Sequence, residues 1–168
     1  MICISLSPPY ATLIALLLKR IETRSWATTH RGTLAIHQTA APGPRGTTEA
    51  ALWDLCLSEP FRAVLSIGPH LLPRGKIVAV VDLVDCVMTD SLTILKTYAE
   101  MLPNHSARVW RLTDQERAFG NYSPGRYGWL LDNVRALPEP VSARGLPGLW
   151  RCDAATAAAV EMQIGVLT

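Results

Sequence analysis

The run Lys19-Arg20-Ile21-Glu22-Thr23-Arg24-Ser25-Trp26 sets a carboxylate, a guanidinium and an indole at every second residue. In an extended strand Glu22, Arg24 and Trp26 share one face. The carboxylate and guanidinium orient one another, and the indole offers a flat surface on which a base could stack. Lys19 stands where a helix gives way to the strand, so it is released from strand alternation and can turn toward the same place. A lysine beside carboxylates in a partly dry cleft has two uses. Desolvation would fit it to accept a proton, whereas ion pairing keeps it charged and fits it to hold a phosphate or carbonyl oxygen. The plainer alternative is a solvated, ion-paired edge strand.

Other candidates are less patterned. Asp82 sits among Val80, Val81 and Val84, and a buried carboxylate there needs a partner, for which Lys19 or Arg24 is expected. His37 ends an apolar strand, where it is either a satisfied core or rim histidine or a catalytic one. Ser7 and Tyr10 flank the first turn of a helix and either line a cleft mouth or serve capping and packing. Arg126 follows a turn and is either a phosphate ligand or a surface arginine. Of Trp26, Trp129 and Trp150, Trp26 is the best stacking surface because it shares a face with Glu22 and Arg24.

The elements that must position these residues alternate short strands with helices. Strands are expected over Ile2–Leu6, Lys19–Trp26, Thr33–His37, Lys76–Val87, Arg126–Leu137 and Leu149–Cys152, with Lys76–Val87 apolar enough to be buried on both faces. The second and third of these are expected to pair as a hairpin. Helices are expected from Tyr10 to about Leu18, from Glu49 to Leu65 with a break at Pro60, over Ser91–Met101, and from Ala154 to about Ile164 behind an Asp153 cap. Thr39–Thr48 reads as a loop. Thr89–Glu116 is weakly patterned and carries no motif. No glycine-rich phosphate-binding fingerprint follows any strand, which argues against a dinucleotide fold.

Composition bounds the answer. At 168 residues and 49% hydrophobic content, one domain spanning 1–168 with a sizeable core is expected. A net charge of +2 excludes a non-specific polyanion coat and leaves room for a local patch. Arginine outnumbers lysine, with only Lys19, Lys76 and Lys96, which suits bidentate contacts and also fits a GC-rich genome. Cys3, Cys56, Cys86 and Cys152 stand singly, so a zinc site, a metal or any other cofactor is not expected, and buried thiols in a reducing compartment are. The apolar run Leu13–Leu18 is too short to span a bilayer, and a cytoplasmic protein is expected.

The segment from Ser7 through His37 resembles the signature end of ASCH domains: a helix after Pro-Pro-Tyr, then Lys19, Glu22, Arg24 and Trp26, then Arg31, Gly32 and His37. Gly75–Asp82, Phe119–Tyr122, Gly125–Trp129 and Pro140–Trp150 resemble later blocks of that family. The stretch between Met88 and Arg117 is not covered. The family carries glycine two places before its motif lysine where this chain has Leu17, so a tighter or shifted turn is expected.

The resemblance implies an α+β, PUA-like small mixed β-barrel with helices packed around it. It also implies binding of RNA, single-stranded nucleic acid or a modified nucleobase in a cleft walled by Lys19, Glu22, Arg24 and Trp26. The alternative it offers is a metal-independent hydrolase of an N-acylated nucleoside or of RNA, with Lys19, Glu22 and Asp82 as catalytic groups. Some family members use a lysine, a threonine and a glutamate. Here Glu22 stands at the threonine's place and Asp82 is the expected downstream carboxylate.

Overall fold

The computed structural model describes residues 1–65, 68–92 and 112–165. In chain order it contains β1 (Ile2–Leu6), α1 (Tyr10–Ala15), β2 (Ile21–Arg24), β3 (Gly32–Gln38), α2 (Glu49–Leu57) and α3 (Phe61–Val64). β4 (Lys76–Met88), α4 (Asp114–Ala118), β5 (Tyr127–Ser142), β6 (Leu149–Arg151) and α5 (Ala154–Gly165) follow. The strands form a six-stranded sheet in the order β2-β5-β4-β3-β1-β6. It is mixed: β1 runs parallel to β3, while β6 lies antiparallel to β1 and β2 antiparallel to β5. The architecture is α+β, as expected. The helix expected over Ser91–Met101 lies, beyond Leu92, outside the described residues.

The hairpin expected between the second and third strands does not form. β2 pairs Ile21 with Leu130 and Arg24 with Tyr127 on β5, while β3 pairs Cys3 with Ala35 and Leu6 with Gln38 on β1. The segment 25–31 between them is too long for the two-residue turn that would fix a hairpin register. Partner choice therefore falls to long-range burial: Ile21 packs with Leu92 and Leu130.

The chain divides into two compact units, and β4 and β5 both run through each. The first comprises residues 1–18, 33–82 and 133–168. Its core gathers Cys3, Ala35, Ile77, Val80, Leu137, Trp150 and Val160, with Ile164 of α5 laid against it. Each of the Ile, Val and Leu side chains among them stabilises the fold by about 1.5–3 kcal/mol on full burial. The apolar run of β4 explains itself here, since Ile77–Val81 are all buried. From Val84 onward the same strand has exposed or half-buried side chains, so burial on both faces holds only for its first part. Thr48 caps α2 by accepting from the Ala51 amide, and Pro60 starts α3 at the expected break. Asp153 caps α5 by accepting from the Thr156 amide at 2.7 Å.

Leu17 settles the question raised by the missing glycine. It adopts φ +63°, so the turn after α1 holds a left-handed residue although the side chain there is leucine. That conformation crowds a Cβ and costs an L-residue roughly 1–2 kcal/mol. Leu17 is 62% exposed and recovers little by packing. Leu17→Gly is therefore expected to raise stability by about 0.5–1 kcal/mol, after allowing for glycine's greater freedom when unfolded. A higher urea midpoint checks this, and a lower one would show that the leucine side chain makes a stabilising contact.

The second unit comprises residues 19–32 and 83–132. β2, the first part of β5 and α4 build it around Ile21, Leu92 and Leu130. Trp129 is wholly buried in it. No helix among the described residues is long and apolar enough to cross a membrane.

Candidate functional site

Every residue of the Lys19–Trp26 run lies in the second unit. Lys19 follows the left-handed turn, and its ammonium donates to the Ile21 carbonyl. It is only 1% exposed, and it ion-pairs with Glu22 at 3.5 Å and with Glu116 at 3.8 Å. Arg24 pairs with the other oxygen of Glu22 at 3.5 Å, and its guanidinium stands 5.7 Å from the centre of the Trp26 ring. Trp26 packs edge-on against Trp129 with ring centres 4.7 Å apart, and the Trp129 indole nitrogen donates to the Trp26 carbonyl. β2 ends at Arg24, short of the strand expected to reach Trp26, so alternation aligns only Glu22 and Arg24; Trp26 sits in the bend that follows and reaches the row through Arg24 and Trp129, with Lys19 joined at the other end.

Glu116 was not among the residues singled out, and it is the anchor of this network. It lies on α4, whose cap Thr113 accepts from the Glu116 amide. One carboxylate oxygen of Glu116 accepts from the Ile21 amide at 3.0 Å and the Tyr122 hydroxyl at 3.2 Å. The other accepts from the Arg20 amide at 3.0 Å. The start of β2 is thereby held to a residue far away in the chain. Burial, with the Glu116 carboxylate beside it, pushes the Tyr122 phenol well above its ordinary range, so it stays a donor. The sequence signal that could have found Glu116 is Thr113-x-x-Glu116, the pattern of a helix start with its carboxylate in the first turn.

Two carboxylates face two cations in this network, so its charges balance. Glu22 and Glu116 are more than nine-tenths buried, whereas the Arg24 side chain is 24% exposed and Trp26 is half-buried. The buried end is a fixed ion-paired frame. Its accessible end is a guanidinium beside an indole, backed by a second, sealed indole. Arg126 donates to the carbonyls of Asn121 and Thr23, tying the turn before β5 to β2.

The remaining candidates belong to the first unit. Asp82 is not paired as expected. It accepts from Asn133 at 2.9 Å and pairs with Arg135 at 3.3 Å, and its side chain is 34% exposed, because β5 runs alongside β4 and supplies the nearest donors. Ser7 gives its carbonyl to the Tyr10 amide, and the Tyr10 ring meets Phe61 edge-on at 6.1 Å.

His37 is buried, with Nε2 3.1 Å from the Ala143 carbonyl, its ring edge-on to Trp150, and Nδ1 without a hydrogen-bond partner among the described residues. Gly145 lies so close that a Cβ there would sit 2.7 Å from Nδ1 and from the Ser5 hydroxyl. Burial lowers the His37 pKa below 6.5, against the opposing pull of the Ala143 carbonyl. The unfolded chain takes up this proton near 6.5 and the folded chain resists it. This contribution to stability is therefore full above about pH 6.5, falls away below it and is gone once the pH has dropped through the lowered folded-state value. The urea midpoint of the wild type should fall more between about pH 7 and pH 5 than that of His37→Gln. Parallel profiles would mean that the ring titrates as it does in water. No group of three or more metal-ligating side chains occurs among the described residues.

Residues 4–140 match the family model of the ASCH domain. Over 153 residues the chain is 29% identical to activating signal cointegrator 1 of Homo sapiens and 28% identical to that of Mus musculus, covering 90% of this chain. It spans 22% of the length of each of those relatives. Among solved structures, it is similar to a point mutant of ZmASCH from Zymomonas mobilis, with 12% identity, 96% of each chain covered and a TM-score of 0.49. The ASCH structure from Zymomonas mobilis gives 13% identity, 99% and 94% coverage and a TM-score of 0.47. With its signature strand and most of its length matched by the family model, the chain belongs to the ASCH domain family.

Proposed function

We propose that this domain binds single-stranded RNA by holding one base against Trp26 and Arg24, with Lys19, Glu22 and Glu116 as the frame that fixes them. The observation that carries this reading is the charge-balanced row from buried Lys19 to half-buried Trp26. A phosphate is best held by cations without acidic partners, and here both cations have one. A base needs a flat apolar surface and a few fixed polar groups, which the row offers. Membership of a family generally associated with RNA binding supports the same reading.

The row's own contribution is then stacking and hydrogen bonding, and any steep salt dependence comes from phosphate contacts elsewhere on the domain. The test is a titration of purified protein with short single-stranded RNA, single-stranded DNA and N-acylated or methylated nucleosides, read by fluorescence, with chromatography to detect products. RNA binding without product supports the binding module. Turnover of a nucleoside or of RNA would replace it with a hydrolase.

A further inference from the structure

All four cysteines are free thiols, yet two of them meet. Cys3 of β1 faces Trp150 of β6 in the antiparallel register, and Cys152 comes two residues later, so both side chains project from the same side of the strand pair. The ladder continues past β6, because the Cys152 amide donates to the Met1 carbonyl at 3.2 Å. Both thiols turn to that same carbonyl, each with its Sγ 3.7 Å away, which brings the two sulfurs to one spot beside the Met1 carbonyl.

Their surroundings differ. Cys3 is sealed in the core with Ala35, Ile77 and Val80, whereas Cys152 is half-buried and lines a surface cavity with Arg144, Arg151 and Asp153. The Asp153 carboxylate is turned to the amide and hydroxyl of Thr156. Arg144 and Arg151 are exposed and have no acidic partner among the described residues.

We propose that Cys152 and Cys3 form a dithiol site that an anionic low-molecular-weight disulfide, drawn to Arg144 and Arg151, oxidises to an intramolecular disulfide. In the first step the Cys152 thiolate attacks one sulfur of the incoming disulfide. A mixed disulfide forms on Cys152, and one small thiolate leaves. In the second step the Cys3 thiolate attacks the Cys152 sulfur, the Cys3–Cys152 bond forms, and the second small thiolate leaves. The protein gives up two electrons, which the small disulfide takes, and the two thiol protons pass to solvent or to the departing thiolates.

Accessibility sets this order. Burial and the neighbouring Cys152 hold the Cys3 thiol up to about 12, so it is a poor first nucleophile. Once Cys152 carries the mixed disulfide its charge no longer opposes ionisation of Cys3, and the second attack is intramolecular, with an effective molarity of roughly 10⁵–10⁸ M when well placed. The product ties β6 and the start of α5 to β1.

The test treats the full-length protein with glutathione disulfide at neutral pH, then blocks remaining thiols and maps peptides by mass spectrometry. The wild type should keep two of its four thiols, with the Cys3 and Cys152 peptides joined. Cys3→Ser should stop at a glutathione adduct on Cys152, and Cys152→Ser should leave Cys3 unmodified. Arg144→Ala with Arg151→Ala should slow glutathione disulfide severalfold and leave the neutral bis(2-hydroxyethyl) disulfide unaffected. Four thiols surviving, a lasting glutathione adduct in the wild type, or modification of Cys86 in place of Cys152 would overturn the dithiol site. Equal slowing of both reagents would overturn the role of the arginines.

Discussion

Lys19→Met is expected to destabilise the protein by about 3–5 kcal/mol, the largest effect of any single substitution in the polar row. Lys19 is 1% exposed, and its ammonium lies between Glu22 and Glu116 while donating to the Ile21 carbonyl. Methionine fills the volume and removes the charge. Glu22 then keeps Arg24 at 3.5 Å, but Glu116 loses its ion pair and retains only neutral donors. Removing the second charge should return part of the loss, so Lys19→Met with Glu116→Gln is expected to be less destabilised than the sum of the single variants. Urea denaturation followed by circular dichroism measures all three. A loss below about 1 kcal/mol for Lys19→Met, the usual size for an exposed ion pair, would mean that water solvates the ammonium.

Glu116→Gln is expected to cost about 2 kcal/mol by itself. Both oxygens of the native carboxylate accept from backbone amides, those of Ile21 and Arg20. Glutamine keeps one acceptor and replaces the other with an NH₂ group, which can only donate. One amide at the entry to β2 therefore faces another donor, and burial of the site keeps water from replacing the bond. Exchange of the Arg20 and Ile21 amide hydrogens should accelerate in this variant while those of β1 and β3 stay protected. Unchanged exchange at both would show that the start of β2 is held by its β5 ladder alone.

The row was legible because strand alternation is local. Within β2, Glu22 and Arg24 share a face whatever the strand pairs with, while Trp26 joins them from the bend beyond the strand. The buried part of β4, the helix break at Pro60 and the Asp153 cap were legible for the same reason, each depending on residues a few places apart. What escaped depends on distant contacts. Glu116 reaches the Arg20 and Ile21 amides across more than half the chain, from a stretch with no apolar period.

Asp82 was expected to meet Lys19 or Arg24, but strand order gives it the Asn133 and Arg135 side chains of β5 instead. The contact between Cys3 and Cys152 follows from the β1–β6 register, which no spacing in the sequence encodes. The turn at Leu17 is fixed by the flanking helix and strand, so leucine adopts a conformation that glycine would take without strain.

The most direct test of the central claim is the affinity of Trp26→Ala and wild type for the same short single-stranded RNA at several salt concentrations. Trp26 is half-buried at the end of the row, so its removal should leave the fold intact, and an unchanged circular dichroism spectrum would show this. Loss of a stacked base is expected to weaken binding by about 1–3 kcal/mol, roughly fivefold to 150-fold, equally at each salt concentration. Equal affinities for the two proteins, or a deficit that disappears as salt rises, would contradict a base held on Trp26.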